Sequence, residues 1–272
     1  MPSLVLLHTN DMHGRLAAEA AARIRAEKSR DPNTLLVDAG DALRAGNLGV
    51  PLASETVLRH MNTAGYDLMA AGNRETHLWP WALRAKLRQA AFPVLCANVT
   101  GPGVAAGDPV ARTPAELRAL ARSEALYRPY VIVRIPNNLR VGIFGLTVPM
   151  VTREMAARHF SSYLFRDPVE TARDLVPLLA RNADLVVGVL HLGLGRDCEI
   201  AREVPGIDLL VGGHTHDLLP EPVVVGRTVV LQAGSYARYL GRVEVSVEAA
   251  GVSVRSHLLE LREMEGGAQR SG

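Results

Sequence analysis

Along most of the chain, short apolar runs alternate with stretches of helical amphipathic spacing. "SLVLLHT" predicts a buried strand, and residues 17–29 put Ala and Ile on one helical face. "NTLLVDAG" predicts a second strand, and residues 54–64 a helix with Ser54 as its N-cap. "DLMAAGN" predicts a strand, followed by a helix over residues 79–90 with Pro80 in its first turn. "PVLCANV" and "LRVGIFGLT" predict two more strands, and residues 168–182 a helix. "ADLVVGVLHLG" and "GIDLLVGGHTH" are apolar almost throughout, as suits strands covered on both faces. After His216 the pattern becomes that of hairpins with Gly at the turns, "PVVVGRTVVLQAG" and "GRVEVSVEAAGVSVRSHLLEL". The expectation is an α/β fold ending in β-strands, one domain over residues 1–265, with a disordered tail over 266–272.

Composition narrows the function classes. The 272 residues are 48% hydrophobic but only 4% aromatic, so Leu, Val and Ala must fill the core. A net charge of +2 gives no electrostatic footprint for a nucleic-acid polymer. The basic residues are nearly all arginine, with Lys28 and Lys86 the only lysines. Two cysteines, Cys96 and Cys198, make no disulfide framework. The run Leu4–Leu7 is too short for a signal core, and no stretch reaches membrane-span length. These features predict a cytoplasmic protein with no membrane partner.

The candidate chemistry sits just after strands, where α/β sheets gather their sites. Asp11 and His13 lie two apart in "HTNDMHG", so both side chains could reach one ion. Asp41 follows Gly40 in "DAGD", and Asn73 follows Gly72 in "AAGNRETHLW". His191 ends "VLHLG", and His214 and His216 end "GGHTH". Two carboxylates, one amide oxygen and four imidazoles are too many ligands for one ion. They are about right for two divalent ions sharing a carboxylate, the usual apparatus of phosphate-ester hydrolysis. Mixed O/N donors point to Mn first, with Zn, Fe, Co, Ni or Mg as other candidates.

These motifs, in this order, resemble the calcineurin-like metallophosphoesterases, and within them the catalytic domain of the 5′-nucleotidase and 2′,3′-cyclic phosphodiesterase group. "LVLLHTNDMHGRL", "DAGD", "GN-x-E", "CANV", "GIFGLT" and "GGHTH" carry the resemblance, which spans residues 4–247. It implies a four-layer α/β/β/α sandwich. It implies Asp11, His13 and His216 around one ion, Asn73, His191 and His214 around the other, and Asp41 between them. Asp38 would support its strand end. Asn98 and Tyr236 are candidate substrate contacts.

Two departures stand out. Many 5′-nucleotidases of this type carry a C-terminal domain that stacks the base between aromatics, and about 25 residues follow the last strand pair here. The group's turn reads Gly-Asn-His-Glu, and its histidine stabilises the attacked phosphate. Here Arg74 takes that place, and His77 takes that of an aspartate soon after it. Arginine can neutralise phosphoryl charge but cannot release a proton near neutral pH. Arg74, His77 and Asn73 are therefore the candidate catalytic residues, with His77 the candidate proton donor. The reading is a 5′-nucleotidase-like phosphomonoesterase acting on small phosphate esters. A 2′,3′-cyclic or other phosphodiesterase is the alternative, and a metal- or nucleotide-binding domain with impaired catalysis a further one.

Overall fold

The computed structural model describes residues 3–51, 54–248 and 251–261; the tail predicted over 266–272 lies outside them. Two sheets carry the chain. From edge to edge, the first runs Gly251–Glu260, Tyr239–Glu248, Ser3–Thr9, Thr34–Asp38, Leu68–Ala70 and Val94–Leu95. Its last four strands are parallel, and the C-terminal hairpin closes the other side antiparallel to Ser3–Thr9. The second runs Val223–Val225, Thr228–Leu231, Leu209–Val211, Leu185–His191, Arg140–Thr147, Tyr130–Arg134 and Ala111–Arg112. Its middle strands, from Thr228–Leu231 to Arg140–Thr147, are parallel.

Three apolar clusters set the order of the layers. The first packs helices Ala18–Lys28, Thr56–Ala64 and Pro80–Leu87 on one face of the first sheet, through Ile24, Leu58, Leu83 and Leu7. The second lies between the sheets and joins Leu6, Leu35 and Leu68 to Ile143, Val187 and Val211. The third packs helices Pro168–Asn182 and Leu194–Glu203 on the far face of the second sheet, through Val176, Leu179, Ile200 and Phe144. The order is helices, sheet, sheet, helices. Parallel strands buried on both faces explain why the sequence reads as unbroken apolar runs there.

Local chemistry accounts for the element ends. Asp167 caps Pro168–Asn182, its carboxylate accepting from Val169 and Glu170 N–H at 2.8 and 3.0 Å, with Pro168 in the first turn. The helix over 80–87 starts as expected, with Pro80 at its first position. Three expectations need correction. Ser54 is not the cap of Thr56–Ala64. Glu55 holds that position, and its carboxylate instead accepts from Arg44 and Ala45 N–H. "PVLCANV" is not one strand: Val94–Leu95 belongs to the first sheet, and Val99–Thr100 pairs with Leu164–Phe165. Between them the backbone crosses toward the second sheet, Cys96 N–H donating to Arg128 and Ala97 N–H to Gly145. Leu194–Glu203 is a helix that the pattern did not predict, because Gly195 and its charged residues blur the apolar spacing. Among the described residues no helix is long and apolar enough to cross a membrane.

Candidate metal centre

Parallel strands of both sheets end at one edge, and the loops after them converge. The loops after Thr9 and Asp38 continue the ladder past the strands. Asp11 N–H donates to Gly40, His13 to Asp41 and Gly14 to Ala42. Gly40, at φ +89°, packs on Gly72, and a Cβ on Gly72 would overlap Asp41. The glycines before Asp41 and Asn73 are thus needed for the two loops to touch. Asp11, His13, Asp41, His214 and His216 all have left-handed backbones, with φ between +48° and +82°. Non-glycine residues hold such conformations only where the surroundings impose them, and this strain gathers at functional sites.

Five of the seven predicted ligands fall there in two groups of close donor atoms, with Asn73 and His214 beside His191. Asp11, His13 and His216 form one group whose candidate ligand atoms lie within 4.8 Å of one another, and Asp11, Asp41 and His191 form a second. His216 Nε2 lies 3.0 Å from His13 Nε2 and 3.3 Å from Asp11 Oδ1. Asp41 faces both sides, Oδ1 at 3.5 Å from His191 Nε2 and Oδ2 at 4.0 Å from His13 Nδ1. Asn73 Oδ1 is 3.2 Å from His191 Nε2. The His214 ring stands edge-on to His191, with centroids 5.1 Å apart.

The donor set fits a cation. His191 Nδ1 lies 2.8 Å from the Ala39 carbonyl, an acceptor only, so Nδ1 carries the proton and Nε2 presents a bare lone pair. Asn73 Nδ2 donates to Asn47 Oδ1 at 2.8 Å, which turns the Asn73 carbonyl oxygen toward that lone pair. Asp11 is fully buried. Its Oδ2 accepts from His214 N–H and Asn10 Nδ2, while its Oδ1 has no hydrogen-bond partner. Lone pairs thus face lone pairs in a buried space, an arrangement that only added positive charge relieves. Protonated imidazoles do not supply it at neutral pH. Burial, with lesser help from Arg74, pushes His13 down to about 4, and burial does the same to His191. Burial pushes Asp11 up to about 7, with the Asp41 charge adding to the rise.

Supporting residues surround the cluster. Glu75 is fully buried, and its carboxylate accepts from Asp41, Gly72 and Leu43 N–H at 2.7, 2.9 and 3.0 Å, sewing the two loops together. Asp38 supports its strand end by accepting from Thr9 Oγ1 and Gly40 N–H. Sequence reasoning missed Lys86. Its buried ammonium donates to the carbonyls of Gly46, Asn47, Arg74 and Thr76 at 2.7–3.0 Å. The available signal was its rarity, one of two lysines in an arginine-rich chain. Asn10 was missed too. It holds Asp11 and the loop at Ala233–Gly234 together.

The other predicted site residues divide. Tyr236 stands at the cluster, its N–H on the Asp11 carbonyl and its ring 5.4 Å from His13 and 5.6 Å from His216. Arg74 N–H donates to Asp41 Oδ1 at 2.8 Å, and its Nε lies 3.5 Å from Asp41 Oδ2. Its Nη1 is bound to the carbonyls of Leu43 and Arg44, so part of the guanidinium is tied to the loop. His77 does not take a proton donor's place. Its Nδ1 accepts from Trp79 N–H and its Nε2 faces the Leu48 carbonyl, so backbone occupies both nitrogens. Asn98 is no substrate contact either. It is fully buried, and its amide clasps Thr147 N–H and C=O at 3.0 and 2.8 Å, bracing the end of a second-sheet strand.

No family model matches the chain. Among curated proteins, it is 31% identical over 271 residues to the trifunctional nucleotide phosphoesterase protein YfkN of Bacillus subtilis, covering 92% of this chain and 18% of that protein. It is 29% identical over 294 residues to the 5′-nucleotidase of Bos taurus, covering 93% of this chain and 48% of that one. Among solved structures, the 5′-nucleotidase precursor of Thermus thermophilus superposes with a TM-score of 0.74 at 27% identity. That match covers 95% of this chain and 54% of the other. The chain therefore spans about half the length of most of these relatives, and less of the first. Fold, strand-end motifs and relatives agree that the chain belongs to the 5′-nucleotidase group of the calcineurin-like phosphoesterases, matching their catalytic portion.

Proposed function

We propose that this chain is a dinuclear metal-dependent hydrolase of phosphate esters, with nucleotides as its substrates and residues 1–265 as one catalytic domain. The observation that carries the reading is the buried meeting of lone pairs from Asp11, His191 and Asn73. In this reading Asp11, His13 and His216 would hold one ion and Asn73, His191 and His214 the other, with Asp41, which faces both sides, available to both. Manganese is the first candidate for both positions. Two such ions, when bound, would supply Lewis-acid charge to a phosphate ester and to an attacking water. The protein's own residues do the rest. Glu75 holds the Asp41 and Asn73 loops in register. Arg74 brings fixed positive charge beside Asp41, of the sign that neutralises a phosphoryl oxygen. Tyr236 walls the His13–His216 side. The free thiols Cys96 and Cys198 favour a cytoplasmic setting.

A second reading rests on Arg74 and His77. With arginine at 74 and both His77 nitrogens on backbone, neither of these two side chains can protonate a leaving oxygen. Losing such help costs about 10²–10⁴-fold, and least for good leaving groups. Cyclic or aryl phosphodiesters would then be turned over better than plain monoesters. The test is turnover of AMP, 2′,3′-cyclic AMP and bis-p-nitrophenyl phosphate by manganese-loaded protein and its Arg74→His variant. Wild-type activity lost with chelator supports the hydrolase, and diester preference that shifts toward AMP in the variant supports the second reading. A metal-loaded protein inactive on all three would overturn both in favour of a binding domain.

A further inference from the structure

Both tryptophans of this aromatic-poor chain, Trp79 and Trp81, lie side by side at the surface. Their rings are nearly parallel, 16° apart with centroids at 6.0 Å, and they keep 46% and 61% of their area exposed. His77 packs against both, at 5.4 and 6.3 Å. Its own nitrogens are held by backbone, so the plate has a fixed root. Leu48, also exposed, lies beside that root, its carbonyl facing His77 Nε2. Leaving indoles in water forgoes a large hydrophobic gain, so such a plate calls for an occupant.

Its position says which occupant. Asn73 reaches His191 with its oxygen and Asn47 with its nitrogen, and Leu48 follows Asn47 directly. Lys86 binds the carbonyls of Asn47 and Thr76 together, so the plate and the cluster share one rigid frame. The contacts that link the indoles to the cluster run through His77, Leu48, Asn47 and Asn73, so the plate lies on the Asn73 side of it. We propose that Trp79 and Trp81 form a nucleobase-stacking subsite of the phosphoesterase centre. The inference rests on the nucleotide reading above and adds what holds the base. Stacking tolerates any base, because each has a π-face. The subsite therefore favours nucleotides over sugar phosphates without choosing among bases.

The two tryptophans also make the test. Being the only ones in the chain, they give indole fluorescence a single origin. Titration with AMP should quench it saturably, and ribose 5-phosphate, which lacks the base, should not. In steady state, Trp81→Ala should raise KM for AMP about 5- to 150-fold, the range for one lost base stack. Its kcat, and its kcat/KM for ribose 5-phosphate, should stay within about twofold, since Trp81 is mostly exposed. No quenching by AMP, or equal losses on both substrates, overturns the subsite. So does a dimer in wild type that Trp81→Ala dissociates, since a second copy would then be the occupant. If wild type hydrolyses neither substrate, the phosphoesterase reading fails, while the fluorescence titration still decides whether the indoles bind a base.

Discussion

Replacing Asp11 by asparagine should stabilise the metal-free protein while destroying its response to metal. Asp11 is fully buried, and only Oδ2 has hydrogen-bond partners. Its carboxyl rises from 3.8 to about 7, chiefly because burial penalises the charge. A carboxyl raised in the folded state gives stability that is full below the unfolded value and lost as pH climbs through the folded one. The loss here falls between about pH 4 and 7 and amounts to roughly 4 kcal/mol at most. Asparagine keeps the shape. Its oxygen can accept the His214 and Asn10 bonds, and its NH₂ then faces His216 Nε2, 3.3 Å from the present Oδ1. Relaxation around the cluster will absorb part of the gain, so the expected value at pH 8 is about 1–3 kcal/mol, fading to nothing near pH 4. In a chain of this size that is about 2–4 °C of Tm per kcal/mol. Thermal and urea melts of chelator-treated wild type and Asp11→Asn at pH 5 and 8 measure it. Manganese at about 100 times its Kd should then add about 2.7 kcal/mol to wild type and little to the variant. A metal-free Asp11→Asn protein less stable than wild type at pH 8 would refute the reasoning, because Asp11 would then not carry an unrelieved charge.

Manganese affinity should climb about tenfold per pH unit below pH 7 and flatten above it, since Asp11 must lose its proton to ligate while His13 and His191 are already neutral; calorimetry across pH 5.5–8.5 in buffers of different ionisation heat, which counts the released proton, checks this, and a flat profile contradicts it. Lys86→Met should cost roughly 2–4 kcal/mol, because four carbonyls lose a charged donor and regain only part of it from water. The same change should lower kcat more than it raises KM by loosening the Arg74 turn; equal urea midpoints for variant and wild type would show that the ammonium is not what pins the loops.

Most strands were readable because burial on both faces leaves an unbroken apolar run. The "DMH", "DAGD", "GN" and "GGHTH" signals stood at strand ends because α/β topology gathers sites there. At Asp11 and His13 the two-residue spacing allowed both side chains to reach one ion, and it was the joint pattern of strand-end motifs that pointed to them. Other features depend on partners far away in sequence. Asn98 is adjacent to strand residues in a matching motif, yet Thr147 claims its amide from another strand. His77 occupies the turn that follows Asn73, yet Leu48 and Trp79 take its nitrogens. Lys86 looks like an ordinary helix lysine until two loops 10 to 40 residues away bring four carbonyls to it. "PVLCANV" looks like one strand until the backbone must cross from one sheet to the other. Periodicity records what each residue's own segment buries. A polar side chain's role depends on which acceptor or donor the assembled fold places within about 3 Å of it, and hydrogen bonds lose their strength within an ångström of that distance.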